Sequence, residues 1–332
     1  MSKDLFVDKN PSLETSWRSI ILLGRNVASY KFALAKSLLE IDSNNSEIEL
    51  EKLAIPFAKN ICEHLDKNEK QITSSSSKFL DACKRFNNSQ INEDELKNIT
   101  VRMGFNNVID AFHIVSREET TRFFTDNRTN NRSIILTDDF YKLKEKDIYK
   151  NLKNEAESRW NLWETAISLN VNPTLLQIIN DKDQECLYVL DENKKRKDVT
   201  SSRDALNGYQ KGKCFYCYKN ISIDRGNDNS CDVDHFFPHL LKNYGFLEVD
   251  QIWNLVLSCQ DCNRGSQGKF ERIPDIKYLY ALSKRNNYYI ESHHPLRETI
   301  INQTGKSQED RRNFLQKMYD LSIDHIPVKW KP

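Results

Sequence analysis

Two Cys-x-x-Cys pairs constrain this chain more than any other feature: Cys214/Cys217 and Cys259/Cys262, with 41 residues between them. Each pair spans two corners of a tetrahedron from one tight turn, so four thiolates satisfy one structural zinc ion. The separation exceeds that of a zinc ribbon, so a folded segment must sit inside the clip. That segment carries the dipeptide Asp234-His235 and the step Trp253-Asn254, and Asn263 follows directly after the last cysteine. These residues read as a catalytic centre pinned by a structural metal. The plain alternative is a zinc-stapled binding module in which His235 is a hydrogen-bonded core residue.

The stretches CFYC at 214–217, VDHFFP at 233–238, WNLVLSCQDCN at 253–263 and Lys269 beyond them together resemble the HNH endonucleases, in the subgroup with an added four-cysteine zinc site. The resemblance covers about a fifth of the chain. It implies a β-hairpin and one helix folded around a single divalent cation, a ββα-metal module. It also implies that His235 is the general base that activates water, that Asp234 ligates the catalytic metal and that Asn254 braces the hairpin loop. Asn263 stands where the family often has a second histidine ligand. Arg264 and Lys269 are then placed to contact the scissile strand.

The chemistry suits these residue types. Phosphodiester hydrolysis needs a deprotonated water in line with the leaving oxygen and a cation to neutralise developing charge. A neutral imidazole supplies the base near pH 7. Magnesium or manganese accepts a carboxylate and an amide oxygen and keeps its waters, whereas thiolates select zinc, so the two metals sort by ligand type.

Length allows two domains, each with its own core. We read a mainly α chain with a small α+β module: a helical domain over 1–190, then the nuclease domain and C-terminal helices over 200–332. The charged stretch DENKKRKD, 191–198, is the expected hinge, and Lys194–Lys197 either meet phosphates or are solvated. Net charge is +1 overall, +3 from residue 200 onward and −2 before it. No whole-protein basic field draws in nucleic acid, which favours delivery to the target by another component or by the helical domain. The polar opening MSKDLFVDKN and scattered Cys62, Cys83, Cys186 and Cys231 lead us to expect a cytoplasmic, reducing setting without disulfides. No apolar run is long enough for a membrane span.

Along the chain, apolar periodicity predicts helices over 11–41, 46–66 (bent or split by Pro56), 92–98, 147–170, 174–179, 200–210, 275–287 and 308–320. Phe112–Val115 and Ser133–Leu136 read as two strands of a hairpin, with Arg122, Arg128 and Arg132 in the loop between them. Those arginines either grip phosphates or are solvated. Other residues carry weaker suggestions: Arg25 and Asn26 as ligand contacts, Asp138-Asp139 as helix caps, Cys231 packing under the hairpin, His239 facing a loop, and His293-His294 capping a turn.

The reaction expected is metal-dependent hydrolysis of DNA. One such centre cuts one strand, so a double-strand break needs a homodimer or two encounters. The resemblance makes a restriction or phage-defence effector the first role, with a protein or small-molecule activator acting through the helical domain, and mobile-element nicking the second. The rivals are a non-catalytic zinc-stabilised nucleic-acid-binding scaffold and an RNA-directed nuclease.

Overall fold

The computed structural model describes residues 12–23, 29–41, 45–72, 76–115, 118–146, 149–169, 178–181, 186–190, 194–223 and 229–332. The architecture is mainly α with small sheets, and it divides into two compact units, Met1–Glu157 and Ser158–Pro332. The division falls within a helix rather than at 191–198. Among the described residues, no helix is long and apolar enough to cross a membrane.

The first unit contains helices α1 (Leu13–Leu23), α2 (Tyr30–Glu40), α3 (Leu50–Lys67), α4 (Lys78–Asn87), α5 (Glu93–Ile99), α6 (Val108–Ala111), α7 (Arg128–Asn131), α8 (Asp138–Lys144) and the start of α9 (Tyr149–Ser168). Their starts follow local chemistry. The Ser12 hydroxyl accepts the Thr15 N–H, Ser77 accepts the Leu80 N–H, and Asn92 with Glu95 forms a reciprocal capping box. Its strands are β1 (Glu47–Glu49), β2 (Ile114–Val115), β3 (Glu118–Glu119), β4 (Phe124–Asn127) and β5 (Ser133–Leu136).

Three expectations change here. The helix expected over 11–41 is two helices, α1 and α2, and Gly24, Arg25 and Asn26 lie outside the described residues. Pro56 stays inside one continuous helix, α3. The strand 133–136 pairs with β4 and β1, while Ile114–Val115 pairs with β3, so the expected hairpin is replaced by two separate sheets. Two of the three loop arginines are engaged within the chain. Arg128 pairs with Asp110 and Asp126, and Arg122 pairs with Glu119. That favours the solvated reading over a phosphate grip.

The second unit takes the remainder of α9 and then an antiparallel sheet, β6 (Ile179–Asp181), β7 (Cys186–Leu190) and β8 (Arg196–Ser201). The expected hinge therefore ends in a paired strand, with the Arg196 guanidinium over the Tyr188 ring. Of the helix expected over 174–179, residues 174–177 lie outside the described residues and Ile179 begins a strand. Then come α10 (Ser202–Gln210), β9 (Cys231–His235), β10 (Leu255–Cys259) and α11 (Gln260–Arg264). The unit closes with β11 (Ile273–Pro274), α12 (Ile276–Glu291), α13 (Arg297–Thr304), α14 (Gln308–His325) and β12 (Lys329–Trp330). Arg203 of α10 is buried.

β9 and β10 form an antiparallel hairpin whose register sets His235 opposite Leu255 and Cys231 opposite Cys259. Gln210 completes the outer edge of β10: its amide accepts the Leu257 N–H and donates to the Leu257 carbonyl. That satisfies backbone groups a buried edge would otherwise leave open. Trp253 is fully buried against Phe237 and Phe314, and its carbonyl accepts Arg285 at 2.7 Å and Asn286 at 3.2 Å, both from α12. The C-terminal helices thus hold the base of the hairpin in place.

Candidate active site

The four thiolates meet at one end of the hairpin. In the first turn the Cys214 N–H donates to the Lys219 carbonyl and the Tyr218 N–H to the Cys214 carbonyl, with Tyr218 left-handed at φ 61°. The Phe215 N–H donates to the Leu257 carbonyl and docks this turn on β10. Cys259 ends β10 and Cys262 lies in α11. All four sulfur atoms lie within 4.8 Å of one another. Burial raises the Cys214 thiol to about 11, and burial together with the neighbouring thiols raises Cys262 further. Against its partial burial, hydrogen bonds with the Lys219 backbone and the other thiols lower the Cys217 thiol, and four sulfur donors at this spacing fit zinc. Cys231 packs in the core under the hairpin and is not one of the four.

Next to the cluster is a cavity of about 360 Å³ lined by Asp232, Asp234, His235, His239, Asn263 and Arg264, among others. Its walls are the end of β9, the turn after His235 and the residues from α11 to Glu271. Asp234 is buried. One carboxylate oxygen accepts the Tyr216 hydroxyl at 2.6 Å, and the other lies 3.2 Å from the Lys269 ammonium. Burial, and then the Asp234 charge, push the Tyr216 phenol well above its ordinary range, so it stays a donor. Tyr216 sits inside the first Cys-x-x-Cys turn, so the zinc turn itself positions Asp234.

His235 is also buried, with Nε2 3.2 Å from Asp250 Oδ1. Burial opposes ionisation of Asp250, but the hydrogen bonds from His235 and Lys242, with their charges, prevail and hold its carboxyl down at about 2. An ionised carboxylate only accepts, so Nε2 carries the proton and Nδ1 is the basic nitrogen. Asn254 is completely buried. It accepts the Phe237 N–H at 2.8 Å and donates to the Phe237 and Val249 carbonyls at 2.9 and 2.7 Å. It therefore clamps both ends of the turn between His235 and Asp250 without bordering the cavity. Asn263 donates to Asp232 through Nδ2, which leaves its Oδ1 as an oxygen donor.

Residues 214–274 match the HNH endonuclease family. No curated protein and no solved structure matches the chain.

Within this HNH module, Asp234, His235 and Asn263 share one cavity, and Asn254 holds the loop that shapes it. Arg264 is exposed and pairs with Asp232 at 3.0 Å. Lys269, expected to contact the scissile strand, lines the cavity but is held within the chain. Its ammonium is buried and donates to the His235 and Phe270 carbonyls, each at 3.0 Å, beside Asp234. It fixes the site from within. His239, expected to face a loop, borders the cavity with Nε2 3.5 Å from Asp250. His293 and His294 belong to the turn after α12, where the buried His294 stacks on Tyr289.

Sequence reasoning missed Asp250, Tyr216 and Asp232. Asp250 follows His235 by 15 residues at the end of a short 3-10 turn, Leu247–Asp250, with no motif around it, so nothing in the spacing identifies it. Tyr216 carried a signal that went unread, a hydroxyl-bearing aromatic inside a metal turn. Asp232 alternates with Asp234 along β9, the spacing that sends two carboxylates to one face of a strand.

Proposed function

We propose that this chain is a metal-dependent endonuclease that hydrolyses DNA phosphodiester bonds. The observation that carries the reading is that Asp234, His235 and Asn263 line one cavity, with His235 hydrogen-bonded to Asp250. His235 Nδ1 takes a proton from water, while Asp250 keeps the other ring proton on Nε2 and fixes the ring. Asp234 and the Asn263 carbonyl oxygen are hard donors suited to a cation that retains waters, Mg²⁺ or Mn²⁺. When bound, such a cation neutralises charge developing on the phosphate. Lys269 offsets the Asp234 charge, and Arg264 is the nearby exposed cation for a phosphate oxygen. A restriction or phage-defence role is what the family resemblance implies for such a module joined to a helical unit. Phage plating efficiency on cells carrying the gene tests that role.

Incubation with an end-labelled DNA oligonucleotide tests the chemistry. Cleavage should require added Mg²⁺ or Mn²⁺ and stop on chelation mild enough to leave zinc bound. Cleavage that proceeds unchanged without the added cation would contradict the assignment of Asp234 and Asn263.

Asp250→Asn is expected to slow cleavage by roughly 10- to 100-fold. The amide either loses the charge that stabilises the imidazolium or donates to Nε2 and imposes the wrong tautomer. Asp250→Glu should recover part of the rate, and DNA affinity should change little. An unaltered single-turnover rate in Asp250→Asn would remove Asp250 from the site.

A further inference from the structure

Phe270 has an unusual setting at the cavity wall. Its φ is +49°, a left-handed conformation that costs a bulky residue of order 1 kcal/mol. The residue is 52% exposed. Yet it borders the same cavity as Asp234, His235 and Asn263.

The surrounding chain enforces this placement from both sides. The Phe270 N–H donates to the Asn263 carbonyl at 2.9 Å, and its carbonyl accepts the buried Lys269 ammonium at 3.0 Å. The Lys269 N–H donates in turn to the Cys262 carbonyl at 2.7 Å. The turn closes this tightly because residue 268 is glycine. A Cβ there would lie 2.8–2.9 Å from the backbone of Asn263, Arg264 and Gly265. An exposed ring contributes little to folding, so a strained, doubly anchored one has its use outside the chain.

We propose that Phe270 is a stacking platform for a nucleobase next to the scissile phosphate, and that the preferred substrate is therefore DNA with unpaired bases at the cut. The inference rests on the nuclease reading above. The chemistry is that of single-strand binding, in which an aromatic face takes a base face irrespective of sequence. A base inside a B-form duplex is already stacked on both sides and has no face to offer. A single strand, a flap or a melted region does.

Full-length wild type, Phe270→Leu and Phe270→Trp are compared, each with zinc content and thermal unfolding measured. The probe is a short single-stranded oligonucleotide containing one 2-aminopurine, free and annealed to its complement. Binding is read by fluorescence with magnesium withheld, and cleavage with magnesium added. Wild type should bind the single strand more tightly than the duplex and quench 2-aminopurine. Phe270→Leu keeps the apolar bulk but should lose roughly 5- to 150-fold in single-strand affinity, the range of one base–aromatic stack. Phe270→Trp should retain affinity and quenching. Equal single-strand affinity in Phe270→Leu, or preference of wild type for the duplex, overturns the proposal. Binding reads stacking without turnover, so a wild type that stacks but never cuts overturns only the nuclease reading.

Discussion

Replacing Cys262 with serine is expected to abolish zinc binding and to unfold the HNH module. Cys262 is buried, and its sulfur is one of four within 4.8 Å of each other. Zinc joins Cys217 to Cys259 across 41 intervening residues, a closure whose entropy cost in the unfolded chain is about 4 kcal/mol by cross-link arithmetic. Structural zinc in small modules contributes roughly 10–16 kcal/mol of apparent binding energy, more than a domain's whole stability margin. The consequence reaches the cavity directly, because Tyr216 sits between Cys214 and Cys217 and holds Asp234. A strong chelator should act in the same way on wild type. Metal content and thermal unfolding check this. A serine variant that melts like wild type and holds one zinc equivalent would contradict the four-thiolate site.

His235→Ala is expected to lower the cleavage rate by roughly 10²- to 10⁴-fold while leaving the fold intact. His235 is the buried imidazole of the cavity and bonds Asp250, and among the described residues no neighbouring group stands ready to replace it. Lys269 is charged and committed to backbone carbonyls, and Asp234 is held by Tyr216 and Lys269. His239 is the nearest other imidazole, with ring centres 5.6 Å apart, but it stands at the exposed rim. Removing a buried imidazole frees the Asp250 carboxylate of one partner and keeps Lys242, so destabilisation should be modest. Single-turnover cleavage of an end-labelled oligonucleotide measures the rate, and thermal unfolding checks the fold. Cleavage within a few-fold of wild type would remove His235 from the chemistry.

The mainly α class was legible in the sequence, as were the residues that gather at the cavity, but the strand pairings around them were not. Cys-x-x-Cys spacing, Asp234-His235 and Asn263 are local patterns with strict geometric meaning, and the hairpin and α11 bring them together. Asp250 could not be read, because its importance arises from a loop whose shape Asn254 sets through buried backbone bonds. Lys269 shows what sequence position alone leaves out. A lysine near a phosphate site suggests a phosphate contact, and only burial reveals that its ammonium holds the His235 carbonyl. In the helical unit, apolar periodicity located the helices, while strand partners escaped. The two-residue β2 and β3 are too short to carry alternation, and β5 finds β1, 84 or more residues earlier, through contacts that no local pattern records.

The measurement that tests the central claim most directly is incubation of zinc-loaded wild type with supercoiled plasmid DNA and Mg²⁺. The account predicts nicked circles as the first product, because the proposed centre has one base, His235, and one pair of cation ligands, Asp234 and Asn263. Linear DNA should follow only through dimer formation or a second encounter. Folded protein that contains zinc, binds the plasmid and leaves it intact with both Mg²⁺ and Mn²⁺ would contradict the account.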